Sequence, residues 1–255
     1  MEKIDFRIND GIARILIDDV ENHNVVGSQF ARELSQAAIS CEGDPTIKAV
    51  LLSAKGDKFS VGGDLNEFLA VGDTLREHVR VMATYFHLAI TVLNRLEAPV
   101  VCGVNGIAAG GGVSLVCMSD LAIAKRSAKF NLAYTRSGLT PDGGSSWFLP
   151  RLVGAQRAFD IMATNPTLSA DEARDIGLIA RVVDDDKFEA EVESVLSQVA
   201  HSPANAVGRG KRLFRASLEN SLETQLELES QYISQSVSHP ETLAKLEAFF
   251  AARAK

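Results

Sequence analysis

The 255-residue chain is 46% hydrophobic and 23% charged, a composition with which one domain, or one domain and an appendage, buries a large core. Its net charge of −7 excludes nonspecific attraction to nucleic acid or to an anionic membrane surface, which needs clustered Lys and Arg. Three cysteines, Cys41, Cys102 and Cys117, have no metal-ligand spacing and two sit in apolar runs, so they read as buried free thiols of a reducing compartment.

The first ten residues, M-E-K-I-D-F-R-I-N-D, hold no apolar run behind basic residues, and the expectation is a cytoplasmic protein. Residues 4–18 alternate apolar and polar side chains around the turn N-D-G at 9–11, which predicts a hairpin. Residues 29–41 put Phe30, Leu34, Ala37, Ala38 and Cys41 on one helical face, with Ser28 as the expected N-cap. A short buried strand at 49–53 leads through a turn at 55–57 into the glycine pair of F-S-V-G-G-D, residues 59–64. A long helix at 74–96 is stopped before Pro99. A second buried strand at 100–104 precedes three consecutive glycines, Gly110, Gly111 and Gly112, then a helix through Met118 and a third strand at 121–124.

The run from 98 to 118 is long enough to cross a bilayer, but its five glycines, Pro99 and Asn105 mark a strand, a turn and a helix instead. After P-D-G-G at 141–144 the pattern is helical at 143–152, 155–163, 170–176, 188–201, 204–218, 222–236 and 241–253, apart from a short strand near Val182. Alternating strands and helices predict an α/β core with partly parallel pairing over 1–200, and a helical region over 201–255 that caps the core or mediates assembly.

The two glycine loops carry chemistry. Glycine has no Cβ to keep a ligand away, and the first amides of a helix have no partner within it, so they can donate to a negatively charged oxygen. Two such loops point to a pair of amides that stabilises charge developing on a carbonyl oxygen.

Four ordered stretches then carry a resemblance across nearly the whole chain. They are F-S-V-G-G-D-L, V-C-G-V-N-G-I-A-A-G-G-G-V-S-L-V-C-M-S-D-L-A-I-A, F-N-L-A-Y-T-R-S-G-L-T-P-D-G-G-S-S-W-F-L-P-R-L-V-G and L-S-A-D-E-A-R-D-I-G-L-I-A-R-V-V-D. Together they resemble the enoyl-CoA hydratase/isomerase (crotonase) superfamily. The resemblance implies a spiral of ββα units, a C-terminal helical trimerisation region, acyl-CoA thioester substrates with coenzyme A as part of the substrate and no further cofactor or metal, and a homotrimer or a hexamer built as a dimer of trimers. It places Gly63 and Gly111 as the two oxyanion-hole donors.

The acid/base positions depart from the hydratase pattern. Where hydratases of this family carry two glutamates, this chain has Ser114 and Tyr134, and a hydroxyl with a pKa of about 10 or above is a poor base at neutral pH. A single carboxylate follows at Asp142. By the resemblance it matches the single acidic residue of Δ3,Δ2-enoyl-CoA isomerases and of the ring-opening epoxyphenylacetyl-CoA isomerase branch. One carboxylate suffices to move a proton between two carbons of an acyl chain, although P-D-G-G-S before an apolar run also reads as a helix start with Asp142 as N-cap.

The favoured expectation is an isomerase using Asp142. A hydratase with an unusual acid/base set, Asp142 with Tyr134 or Ser114, and a noncatalytic CoA-binding protein are the alternatives. Val61, Asp64, Leu65, His23, Tyr134 and Trp147 are the expected substrate contacts; Trp147 and Phe148 also fit a purely core role, and Asp64 a loop-fixing one. Lys55, Lys58 or a C-terminal lysine of a neighbouring subunit are candidates for the CoA phosphates. His87 lies on an apolar helix face and reads as a core histidine, and residues 66–80 are expected to shape the acyl pocket.

Overall fold

A computed structural model describes residues 1–253. The predicted hairpin forms from β1 (Ile4–Asn9) and β2 (Ile12–Ile17), paired with Ile4 opposite Ile17. Its two-residue turn puts Asp10 at φ 53° and Gly11 at φ 75°, the left-handed pair that matches the twist of the flanking strands. Strands β3 (Ala49–Ala54), β5 (Val100–Val104), β7 (Leu121–Lys125) and β10 (Arg181–Val183) add to it in parallel, giving a six-stranded sheet of order β1-β2-β3-β5-β7-β10.

Successive side chains of a strand face opposite sides, and both sides of this sheet are buried. Ile15, Ile17, Val50, Leu52, Cys102 and Val104 face a large core that includes Phe30, Phe86, Leu93 and Leu115. Ala49, Leu51, Val101 and Ile123 face a smaller one closed by Phe188, Val192, Val195 and Leu196. The first core is covered by helices α1 (Ser28–Glu42), α3 (Leu75–Arg95) and α4 (Gly111–Met118), the second by α8 (Phe188–Ala200).

Three-residue strands β4 (Lys58–Ser60), β6 (Ile107–Ala109) and β8 (Lys129–Asn131), with β9 (Leu168–Ser169), form a second sheet of order β4-β6-β8-β9. Each follows a strand of the large sheet within a few residues, so the chain steps three times from the large sheet to the small one, and the first two steps lead directly into helices α2 (Leu65–Ala70) and α4. This is the ββα repeat. The β5-to-β6 step is open only to glycine: a Cβ on Gly106 would lie 2.0 Å from the Asp57 carbonyl oxygen.

Helices α5 (Ser145–Val153), α6 (Ala155–Thr164) and α7 (Ala170–Asp175) follow. The C-terminal helices are α9 (Ala204–Ala216), α10 (Leu222–Val237) and α11 (Pro240–Arg253). Buried Lys211 fastens α9 to the core through Asp120 at 2.7 Å and the Ala98 carbonyl at 3.2 Å, and Arg215 reaches Asp120 at 2.7 Å. Desolvation pulls the Lys211 amine below its ordinary value, opposed by Asp120. Helices α10 and α11 bury no side chain and expose Ile233 and Phe250.

Ser28 does not cap α1. The N-cap is Gly27, the Ser28 amide donates to the Glu67 carboxylate at 3.0 Å, and the Ser28 hydroxyl lies 3.0 Å from His78. The three cysteines are free and buried, and desolvation pushes the Cys41 thiol up to about 12. Among the described residues no helix is long and apolar enough to cross a membrane, and no cluster of His, Cys, Asp and Glu could hold a metal ion.

Candidate active site

The two glycine loops meet at the ends of β4 and β6. Gly62 has φ 94° and Gly110 has φ 48°, and a Cβ on either would lie 3.4 Å from the α-carbon of the other, so the backbones pack directly together. Val26 donates to the Gly62 carbonyl at 2.8 Å and Asp64 donates to the Val26 carbonyl at 3.1 Å, a parallel bridge that turns the intervening Gly63 amide to the other side. Gly111 opens α4, where the first amides have no partner within the helix. Neither the Gly63 nor the Gly111 amide donates to another backbone group of these loops. Asp64 accepts from the Glu67 amide at 2.9 Å and so caps α2, fixing the loop as its position suggests.

Both amides border a cavity of about 560 Å³ lined by Val26, Leu65, Phe68, Met82, Phe86 and other apolar side chains from α2, α3 and the loops. Asp142 is the carboxylate on its wall, and Tyr134 lines it as well. Residues 65–83 supply much of the lining, in agreement with the role expected of the segment at 66–80. A larger cleft of about 950 Å³ shares Val61, Gly63 and Leu65 with the cavity and runs outward past His23, Asp64, Asn22 and Lys3. Four of the six expected substrate contacts, Val61, Asp64, Leu65 and His23, therefore line one channel between the surface and the glycine amides. Lys55 is held by Asp5 at 2.9 Å and Asp18 at 2.7 Å, whereas Lys58 lies 3.0 Å from His23 beside the channel.

Trp147 lies elsewhere. It borders a groove with Phe148, Phe214 and Leu218, under the cation of Arg151, 3.9 Å from its ring. The helical turn after Asp142 carries it to the side of α5 facing α9, away from the cavity that Asp142 borders.

Asp142 does not cap α5 either. The N-cap is Gly144, at φ 74° and with no side-chain cap, and Gly143 before it has φ 59°; two left-handed residues in succession place Asp142 outside the helix. Its Oδ1 is 2.6 Å from Nε2 of His87. His87 is not in the core: its side chain is 51% exposed, on the edge of α3 beside the cavity. The apolar neighbours Phe86 and Ile90 fill the buried face of α3, and His87 falls one position round from it. Spacing on one helix cannot reveal a partner 55 residues away, and this site residue is missed by sequence pattern alone.

Ser114 is fully buried and contacts the Tyr134 hydroxyl at 3.0 Å and the Asp142 carbonyl oxygen at 2.8 Å. Desolvation, the largest influence on it, pushes the Tyr134 phenol well above its ordinary value, so it is a neutral hydrogen-bond donor at physiological pH.

The model of enoyl-CoA hydratase/isomerase matches residues 7–254. The chain belongs to this family. It is 34% identical to 4-chlorobenzoyl coenzyme A dehalogenase-2 of Arthrobacter sp, over 94% of this chain and 87% of that protein. It is 33% identical to 1,2-epoxyphenylacetyl-CoA isomerase of Escherichia coli (strain K12), over 91% and 89%. An enoyl-CoA hydratase structure from Mycobacterium smegmatis superposes with a TM-score of 0.91 at 29% identity, covering 98% of this chain and 96% of that one. The enoyl-CoA hydratase/isomerase family thus supplies the crotonase fold and an acyl-CoA-transforming activity, and its named members differ in what they do to the acyl group.

Proposed function

We propose that this family member is an acyl-CoA isomerase in which the Gly63 and Gly111 amides hold the thioester oxygen while Asp142 moves a proton along the acyl chain. The observation that carries this reading is the placement of one carboxylate, Asp142, on the wall of the same apolar cavity that both glycines border. Removing a proton next to a thioester puts charge on its oxygen, and each fixed donor is worth about 3 kcal/mol in such a transition state. With Nε2 of His87 donating to Oδ1, the second carboxylate oxygen stays free to accept a proton from one carbon and return it to another. The channel past Val61 and His23 would hold coenzyme A as part of the substrate, and the proton transfer needs no other cofactor. Trp147 has no part in this reading.

The His87 contact favours a second reading. A carboxylate can attack an electron-poor aromatic carbon of an aroyl-CoA, expelling halide and forming an aryl ester, while the thioester oxygen takes up ring charge between the two amides. Water deprotonated by His87 would then cleave the ester at its carbonyl, returning the carboxylate and releasing the phenol.

Incubation with trans-3-hexenoyl-CoA, trans-2-hexenoyl-CoA and 4-chlorobenzoyl-CoA separates these readings and the hydratase alternative. Double-bond migration that is lost in Asp142→Asn is expected. Water addition without migration, chloride release, or migration that survives in Asp142→Asn would overturn the isomerase. Binding of all three without any turnover would leave a CoA-binding protein.

The helical region from 201 is proposed as the assembly surface of a homotrimer or hexamer, supported by the exposed apolar side chains of α9 to α11. Light scattering tests it, and a monomer at micromolar concentration would refute it. Three buried free thiols fit a cytoplasmic setting.

A further inference from the structure

Three side-chain hydroxyls converge on one backbone carbonyl. The Asp142 oxygen accepts from the Ser114 hydroxyl at 2.8 Å and from the Ser145 hydroxyl at 2.9 Å, with the Tyr134 hydroxyl at 3.3 Å. A carbonyl oxygen has two lone pairs, and the two serine hydroxyls, with the Ser145 amide at 3.2 Å, occupy them at shorter range than Tyr134. Ser114 has only one hydrogen, spent on this carbonyl, so in its 3.0 Å contact with Tyr134 the phenol is the donor. The order is therefore Tyr134 O–H to Ser114 Oγ, and Ser114 O–H to the Asp142 carbonyl.

The surroundings fix this chain of hydrogen bonds in place. Ser114 is fully buried on α4, the helix that begins at the oxyanion-hole residue Gly111. Ala133, a non-glycine residue held at φ 57°, turns the chain just before Tyr134. Gly143, next to Asp142, sits so close to α4 that a Cβ there would be 2.9 Å from the Ser114 Cβ. One helix thus carries an amide for the thioester oxygen at its first residue and, one turn on, the hydroxyl that holds the backbone of Asp142.

We propose that Ser114 and Tyr134 are positioning residues, which act through the Asp142 carbonyl to set the distance between the Asp142 carboxylate and the thioester held at Gly63 and Gly111. This rests on the Asp142 reading above. It gives the two hydroxyls standing in place of glutamates a task other than proton transfer. Neither exchanges a proton with substrate; both, together with Ser145, hold the backbone of a residue whose carboxylate is bonded to His87. Displacing such a group by about 1 Å can cost 100-fold in rate with little effect on binding.

The test uses the full chain with trans-3-hexenoyl-CoA as probe, and Ser114→Ala, Tyr134→Phe, their double variant and Asp142→Asn. Ser114→Ala is expected to lower kcat about 10- to 100-fold and Tyr134→Phe less, with KM within about twofold. The double variant should be no slower than Ser114→Ala, because Tyr134 acts through Ser114. A readout independent of turnover is the NMR resonance of the His87 Nε2 proton, which should broaden in Ser114→Ala as Asp142 loosens. Tyr134→Phe keeps the ring and so guards against a Ser114→Ala protein that fails to fold. Unchanged kcat and an unchanged His87 resonance would overturn the proposal, as would additive losses in the double variant or a loss confined to KM. An active Asp142→Asn sinks the Asp142 reading itself, whereas an inactive one beside a fully active Ser114→Ala sinks only the positioning role.

Discussion

Gly143→Ala should be among the most damaging single-methyl additions in this protein, and the structure separates its cost into two parts. The first is backbone conformation: Gly143 has φ 59°, where an L side chain costs about 1–2 kcal/mol. The second is space. An ideal Cβ would lie 2.4 Å from Cε1 of Phe86 and 2.9 Å from the Cβ of Ser114, and both of those residues are buried, so neither can swing into solvent. Forcing a methyl into such packing typically costs about 1–3 kcal/mol, for a total of roughly 2–5 kcal/mol. That is a large share of the roughly 5–15 kcal/mol that holds a typical domain folded.

Gly138→Ala is the control. Gly138 has φ 70°, but nothing lies within 4 Å of its added Cβ, so only the backbone part, about 1–2 kcal/mol, applies. Urea unfolding at matched protein concentration should show the midpoint of Gly143→Ala well below that of Gly138→Ala with similar slopes. If the two variants unfold at the same urea concentration, the turn carrying Asp142 is not wedged between α3 and α4 as argued.

Gly110→Ala should cut kcat/KM by at least about 100-fold, because a side chain at φ 48° against the Gly62 backbone must rotate the neighbouring Gly111 amide away from the thioester oxygen; steady-state kinetics with an acyl-CoA substrate checks it. Asp120→Ala should destabilise by about 3 kcal/mol or more, since it leaves the buried Lys211 amine without its counter-charge, and thermal unfolding of Asp120→Ala beside the parent measures the loss. The pH dependence of stability should carry a Glu33 contribution. Burial alone would raise this carboxyl, but the Glu2 and Lys3 amides and the Gln29 side chain outweigh it and hold it below its ordinary value of 4.5. A carboxyl depressed in the folded state stabilises fully above its unfolded value and loses that contribution as pH falls through the folded one. Urea midpoints from about pH 6 to about pH 3 should therefore fall more steeply for the parent than for Glu33→Gln.

Much of the large sheet was legible because its signals are local. Alternation around N-D-G predicted β1 and β2, apolar runs predicted β3, β5 and β7, and Pro99 marked the end of α3. Strands β4, β6 and β8 were not legible from pattern: three residues hold at most one full alternation, and their pairing partners lie far along the chain. At the site, glycine runs marked both loops, whose unusual backbone falls on Gly62 and Gly110, whereas the donor roles of Gly63 and Gly111 were implied by the family resemblance and not by local pattern. The expected cap at Ser28 and the alternative cap reading of Asp142 both fail for one reason. A capping residue type just before an apolar run is a local signal, and in both cases a distant partner, His78 or His87, takes the side chain instead. Trp147 misled similarly, since nearness to Asp142 in sequence says nothing about which way the turn of α5 faces.

The contact between the Gly62 and Gly110 backbones has a consequence for how this scaffold accepts new chemistry. The proposed glycine donors are anchored by main chain beside the small sheet, whereas the groups proposed to act on the acyl part hang from α3 and from the turn before α5. Exchanging His87 or Asp142 for other side chains leaves the main-chain anchor untouched, so such variants should keep their grip on a thioester while losing or changing what is done to it. The grip and the reaction are separable parts, and directed evolution toward another acyl-CoA transformation can begin on α3 without rebuilding the anchor.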